Sequence, residues 1–169
     1  VGSTLFIAAT DSGRLYALDA NTGCVKWHYV SDMTLRSSLT FAEATDHSPA
    51  AIIMGDAAGF VHAVDAKTGR KLWVSNARLN EYNRITGAPV VSGDRVFAPI
   101  SAIEVNYAGD DAYECCKGQG AMAALDSGED ERVPADFAKR LIAGESPLCV
   151  WRELRGLAQA ELARRGRRN

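Results

Sequence analysis

A chain of 169 residues with 19 basic and 21 acidic side chains carries a formal charge of −2, which excludes a whole-chain attraction to nucleic acid or an anionic membrane. That length holds one ordinary domain or two small ones. No apolar run approaches the roughly 20 residues of a membrane span, and the first residues lack the charged, apolar and small-residue succession of a signal peptide.

Taken in order, Thr4 to Thr10 and Arg14 to Asp19 read as two strands joined across Asp11-Ser12-Gly13, a turn signal. Leu15-Tyr16-Ala17-Leu18 alternates bulky and small residues, which suits a pleated strand with one buried face. Asp19-Ala20-Asn21-Thr22-Gly23 follows as a tight turn: Asp bonds its own backbone two residues on, and Gly takes the positive φ. Val25-Lys26-Trp27 then leaves as the next strand, completing a first unit over about residues 4–31.

The second unit, about Leu35 to Ser75, repeats the pattern. Strands are predicted at Leu35–Phe41, Ala51–Gly55, Phe60–Asp65 and Arg70–Trp73, with a polar loop from Glu43 to Ser48. His62-Ala63-Val64-Asp65-Ala66-Lys67-Thr68-Gly69-Arg70-Lys71-Leu72-Trp73 echoes Tyr16 to Trp27 at a fixed offset of 46 positions. A period in the forties with a strand–turn–strand inside it marks a propeller blade, and one blade cannot bury its own faces.

A third unit begins near Arg84-Ile85-Thr86-Gly87-Ala88-Pro89-Val90-Val91, continues through Arg95–Ile100, and ends in a partial copy at Ala123–Gly128. From Asp65 to Asp126 is 61 positions, so about 15 residues beyond the 46-residue period are inserted, roughly Glu104 to Gly118. Long connections on a propeller's face are where binding groups collect. Cysteines occur at Cys24, Cys115, Cys116 and Cys149; no pair has zinc-ligand spacing, and His28, His47 and His62 are scattered. Cys24 and Cys149 read as single thiols filling modest space.

The run Leu-Tyr-Ala-Leu-Asp-Ala-x-Thr-Gly-x-x-x-Trp resembles the blades of the quinoprotein propellers, eight-bladed periplasmic dehydrogenases that use pyrroloquinoline quinone (PQQ). Arg-Ile-Thr-Gly-Ala-Pro, Pro-Ile-Ser-x-x-Glu and Tyr-Glu-Cys-Cys narrow the resemblance to the polyvinyl-alcohol-dehydrogenase type over residues 1–126. Those enzymes oxidise secondary alcohols and pass electrons to a cytochrome. Related propellers, such as outer-membrane assembly lipoproteins, share the repeat as scaffolds only.

The resemblance implies a vicinal disulfide at Cys115–Cys116 lying against the cofactor, and a Thr86 hydroxyl offered to the quinone. It implies Ser101 and Glu104 beside a cofactor carboxylate, and Arg36 and Arg84 facing an anionic ligand from the innermost strands of successive blades. Lys117-Gly118-Gln119-Gly120 stands where the family commonly has an Arg, and the cysteine pair follows rather than precedes the Thr-Gly-Ala-Pro strand. No general base and no calcium ligands can be named, so a fragment inactive by itself is expected.

After Gly128 the pattern changes. Glu129–Pro134 is a charged link, and residues 135–169 carry helical spacing, with Ser146-Pro147 as a cap and first turn. Residues 121–169 resemble the helix-turn-helix antitoxins of bacteria, cut off before the recognition helix, which argues against nucleic-acid binding. The remaining Arg164, Arg165, Arg167 and Arg168 form a basic tip able to touch phosphates without reading sequence.

The resulting expectation is a mainly β chain. It comprises a partial PQQ-type propeller over 1–128 with two complete blades and part of a third, a linker over 129–134, and a short helical segment over 135–169. The implied cofactor is PQQ with calcium. The implied partners are an alcohol and a cytochrome, with self-association through open blade edges. The implied compartment is the periplasm, or the cytoplasm if the antitoxin resemblance governs. The abrupt change at Ala124–Gly128 suggests a recombined, artificial or frameshifted reading frame.

Overall fold

The computed structural model describes residues 1–126 except 94, 108, 115–117 and 119. The linker, the helical patterns, the arginine tip and Cys149 therefore lie outside the described residues, as do Cys115 and Cys116.

Three antiparallel sheets follow one another along the chain. The first contains β1 (Thr4–Ala9), β2 (Arg14–Asp19) and β3 (Val25–Val30) in that order. The second contains β4 (Thr40–Ala42), β5 (Ala51–Gly55), β6 (Phe60–Asp65) and β7 (Lys71–Asn76). In the third, β10 (Arg95–Ala102) lies between β11 (Ala121–Asp126) on one side and β8 (Asn83–Arg84) with β9 (Val90–Ser92) on the other.

The expected blades are thus present, with a correction to their completeness. Only the second sheet has four strands in line; the first has three, and the third is three strands deep because β8 and β9 share one edge of β10. The 46-residue offset equates β1, β2 and β3 with β5, β6 and β7.

Two strand predictions are shortened. The Leu35–Phe41 segment pairs as β4 only over Thr40–Ala42, while Leu35 makes an isolated bridge to Asp56. The cause is a contact with β5: the amides of Arg36 and Ser37 both turn onto the Gly55 carbonyl, and the Ser37 hydroxyl accepts the Gly55 amide at 2.6 Å. Arg84–Val91 splits into β8 and β9 across Thr86-Gly87-Ala88-Pro89, since Pro89 has no amide to donate to a ladder.

Packing follows the period of two. In β5, Ile52 and Met54 face the first sheet, where they meet Leu15, Phe6 and Trp27; Ala51 and Ile53 face the third, where they meet Val96, Ala98 and Leu125. The central sheet is buried on both sides, which is why Ala51–Gly55 is apolar throughout rather than alternating. Each large aliphatic side chain removed from water here contributes roughly 1.5–3 kcal/mol.

The repeat residues have separable duties. Asp19 Oδ1 accepts the amides of Asn21 and Thr22, and Asp65 Oδ1 those of Lys67 and Thr68, so each Asp organises its own turn. The amide of Thr22, then Lys26 and Asn21, holds the Asp19 carboxyl below its usual range. Burial pushes Asp65 up, but the Thr68 amide and hydroxyl outweigh it and the net shift is downward. Gly23 and Gly69 both take φ near +75° (73° and 75°). Gly69 has a second constraint: a Cβ there would lie 2.7 Å from the Trp27 ring. Trp27 therefore covers the turn of the following sheet.

Candidate functional site

Beyond the 46-residue period the chain builds a polar corner on the third sheet. Asn83, fully buried, accepts the amides of Leu79 and Asn80 on its side-chain oxygen, and Asn80 accepts the Tyr82 amide. This turn delivers Tyr82, Arg84 and Thr86 to the end of β10, where Arg84 pairs with Ser101 and the Ile103 amide donates to the Tyr82 carbonyl.

Three of the sequence-predicted residues meet there. The Ser101 hydroxyl lies 3.0 Å from the Thr86 hydroxyl and donates to the Arg84 carbonyl at 3.3 Å. Thr86 is exposed and Ser101 half-buried, so the pair is accessible. Glu104 begins the short helical turn Glu104–Tyr107 one turn beyond Ser101, and is buried, with 8% of its surface exposed. Its carboxylate accepts the Tyr113 hydroxyl and abuts Gly118, where an added Cβ would fall 2.6 Å from Glu104 Oε2.

The two arginines are placed differently from expectation. Arg84 sits on β8 but folds its Nη1 back onto the carbonyls of Glu81 and Asn83, at 2.6 and 2.7 Å. Its role is partly that of a turn clamp. Arg36 is not in a strand; it precedes β4, with an exposed side chain. The backbone nonetheless brings it to the same seam, because Gly55, which accepts its amide, presses on Ile85, with an added Cβ 2.2 Å from Ile85 Cγ2. Cys115 and Cys116 fall outside the described residues, and Cys24 is exposed in its turn rather than filling internal space.

Sequence reading missed a second polar arrangement altogether. His62, treated as one of several scattered histidines, is buried between sheets: its Nε2 lies 2.9 Å from Asp56 Oδ2, and its Nδ1 lies 3.0 Å from the Tyr29 hydroxyl. Asp56 also accepts the amides of Ala58 and Phe60 at 2.8 Å each. Burial, and then the charges of Asp32 and Asp56, push the Tyr29 hydroxyl above its ordinary value. The only sequence signal was His62 standing in a strand whose neighbours are all apolar.

A cavity of about 110 Å³ opens elsewhere on the seam between the second and third sheets, lined by Trp73, Leu72, Val91, Val96 and the Glu43–Pro49 loop. None of the described residues predicted from sequence as site residues lines it. Among the described residues, no three His, Cys, Asp or Glu side chains gather as a metal site, and no helix is long and apolar enough to cross a membrane.

Comparison with known proteins agrees with this architecture. Residues 1–105 match the family PQQ_2, described as outer membrane protein assembly factor BamB. The chain is 37% identical over 129 residues to a polyvinylalcohol dehydrogenase of Pseudomonas sp, covering 75% of this chain and 20% of that protein. It is 34% identical over 129 residues to the polyvinylalcohol dehydrogenase of Sphingopyxis sp. (strain 113P3), with the same coverage of 75% and 20%. The chain thus spans about a fifth of the length of these curated relatives. Among solved structures, a europium-containing methanol dehydrogenase superposes with a TM-score of 0.60 at 26% identity, covering 79% of this chain and 23% of that one. The antitoxin resemblance of residues 121–169 gains no support from these relatives.

Proposed function

The chain belongs to the PQQ_2 family, described as outer membrane protein assembly factor BamB, and from its likeness to polyvinylalcohol dehydrogenases we propose that its sheets form part of the quinone-facing wall of an alcohol dehydrogenase. The observation that carries this reading is the accessible Thr86–Ser101 hydroxyl pair, set on the Arg84 carbonyl. It lies in the segments whose motifs resemble the polyvinyl-alcohol-dehydrogenase type, Thr86 in the break between β8 and β9 and Ser101 in β10.

The residues fit an anionic quinone in part. With its one hydrogen on the Arg84 carbonyl, Ser101 presents acceptor lone pairs, the Thr86 hydroxyl can turn its hydrogen to Ser101 or to a ligand, and Arg36 offers an exposed guanidinium. Arg84 Nη1 is held by backbone carbonyls, which leaves its other guanidinium donors for a ligand. Glu104 carries negative charge into the corner, and its bond from Tyr113 satisfies one carboxylate oxygen. Thr86, Ser101, Arg36 and Arg84 would hold the cofactor. When bound, PQQ would supply a two-electron acceptor that converts a secondary alcohol to a ketone, with a cytochrome taking the electrons afterwards. Among the described residues no three His, Cys, Asp or Glu side chains gather to hold calcium, so on this reading the stretch binds and orients the quinone.

The test is a PQQ titration of the chain with and without calcium, followed by absorbance. Saturable binding that Thr86→Val with Ser101→Ala weakens about tenfold, or 1.4 kcal/mol, supports the reading. Absence of binding, or equal binding by the variant, removes it and leaves a non-catalytic repeat scaffold, in line with the description of the family.

A further inference from the structure

The buried polar chain of the first seam has a chemistry that neither the fold nor the quinone reading uses. Tyr29 in β3 and His62 in β6 come from different sheets, and their rings stand 6.0 Å apart, edge to face at 64°. Asp56 is fixed by the amides of Ala58 and Phe60 on its Oδ1, and its Oδ2 takes the His62 Nε2 hydrogen at 2.9 Å. A neutral imidazole has one donor and one acceptor nitrogen. With Nε2 donating, Nδ1 is left to accept the Tyr29 hydroxyl at 3.0 Å. The chain therefore has a direction, from phenol to imidazole, with a carboxyl group behind.

That direction matters for losing an electron. A phenol that is oxidised becomes a strong acid, and in a dry site the charge left on it is costly unless its proton moves at once to a base. His62 is 5% and Asp56 2% exposed, so the base is held in place and solvent is kept from it. Burial of Tyr29, then the charges of Asp32 and Asp56, keep the phenol protonated beforehand. No other hydroxyl of the five tyrosines is given such a base among the described residues. Tyr16 has a ring contact with His28 at 6.1 Å, and the Tyr113 hydroxyl donates to Glu104, a carboxylate and so a weaker base than imidazole.

We propose that Tyr29 is a redox-active side chain, holding an oxidising equivalent as a neutral phenoxyl radical while His62 keeps its proton. One electron goes to a one-electron oxidant, a metal complex or an oxygen-centred radical. The phenolic O–H bond breaks, and its proton forms an N–H bond at His62 Nδ1. The imidazolium so formed faces Asp56 Oδ2, which pairs the new charge where it arises. A one-electron donor such as ascorbate then returns the electron to the phenoxyl oxygen, and Nδ1 gives the proton back. An oxidising equivalent is thus stored and released without a lasting change to any side chain. The site shares no residue with the quinone corner and does not depend on it.

The probe is photogenerated tris(bipyridyl)ruthenium(III), applied to the full chain by flash and quench. The phenoxyl radical is followed by its absorbance and by electron paramagnetic resonance. The expected result is a radical phase that deuterium oxide slows, that ascorbate reverses and that Tyr29→Phe removes. His62→Gln keeps a hydrogen-bond acceptor but no base, and should slow the phase about a hundredfold. In wild type the rate should fall on acidification, because a ring that has taken a proton from solvent no longer accepts one from Tyr29; His62→Gln should show no such fall. A phase unchanged in Tyr29→Phe, no isotope effect in wild type, or the same rate and pH profile in His62→Gln would overturn the inference. Circular dichroism checks that the sheets of each variant are intact, and if His62→Gln loses them, the isotope effect and pH profile of wild type decide.

Discussion

The two seams of this structure start from the same repeat and end as different objects. Between the first and second sheets, Trp27 covers Gly69, Leu15 packs with Ile52, Met54 and Val64, and Tyr29, His62 and Asp56 form a buried polar chain. Between the second and third, the corresponding Trp73 lines a cavity of about 110 Å³, and the polar groups sit at an accessible corner. The 46-residue period runs unbroken across the first seam, and about 15 residues are added in the third unit. Where the repeat is kept, side chains close a buried seam; where it is lengthened, hydroxyls and rings stand at an accessible corner.

The sharpest way to break this comparison is to unmake the closed seam. Asp56→Ala would leave the His62 ring and the amides of Ala58 and Phe60 without their acceptor in a nearly dry site. It should cost about 4 kcal/mol of unfolding free energy. A denaturant midpoint unchanged within error would show that the polar chain is dispensable.

Next comes a matched pair at one repeat position. Gly69→Ala meets both a positive φ and the Trp27 ring, whereas Gly23→Ala meets the same φ with nothing within 4 Å. The first should cost about 3 kcal/mol and the second about 1 kcal/mol. Their difference, read from urea unfolding, isolates the tryptophan contact, and equal losses would refute it.

Smaller still is Tyr29→Phe, which deprives His62 Nδ1 of its hydroxyl partner and should cost about 1 kcal/mol. The same residue sets a pH effect. Its raised folded value means the stability it contributes is complete below its ordinary value of 10.0 and is lost as pH rises through the folded value. Wild type should therefore lose stability above about pH 10 relative to Tyr29→Phe in chemical unfolding. The carboxylates act in the opposite sense: Asp19 and Asp65 are depressed, so their contribution is complete above the ordinary carboxylate value of 3.8 and fades as pH falls below it. Both lie in exposed turns, where solvent screening keeps the effect small.

Thr86→Val with Ser101→Ala should change stability by less than about 0.5 kcal/mol, since Thr86 is exposed and the one further bond of the pair, from Ser101 to the Arg84 carbonyl, is long at 3.3 Å. If that pair proved as destabilising as Asp56→Ala, the corner would be one more structural lock and the contrast between the seams would collapse.

Much of the fold was legible because it depends on neighbours in sequence. Asp-x-x-Thr-Gly closes its own turn through Asp19 and Asp65, and alternation along Leu15–Leu18 sets which side chains face inward. The split of Arg84–Val91 at Pro89 could be suspected from the missing amide, but the shortening of Leu35–Phe41 could not. It depends on the Gly55 carbonyl capturing two amides from a strand 18 residues away. At the candidate site, the motif identified Thr86, Ser101 and Glu104, but not the fold-back of Arg84 or the exposure of Arg36 outside any strand.

What this amino-acid sequence determined by itself was the period, the turns and the choice of faces, because φ preferences and side-chain alternation act over a few residues. Tertiary structure alone decided that His62 meets both Tyr29 and Asp56, that Trp27 needs Gly69 bare, and that three tyrosines separated by up to 31 positions touch. Those contacts join residues whose distance along the chain says nothing of their distance in space. They form only when neighbouring sheets bury their faces on one another.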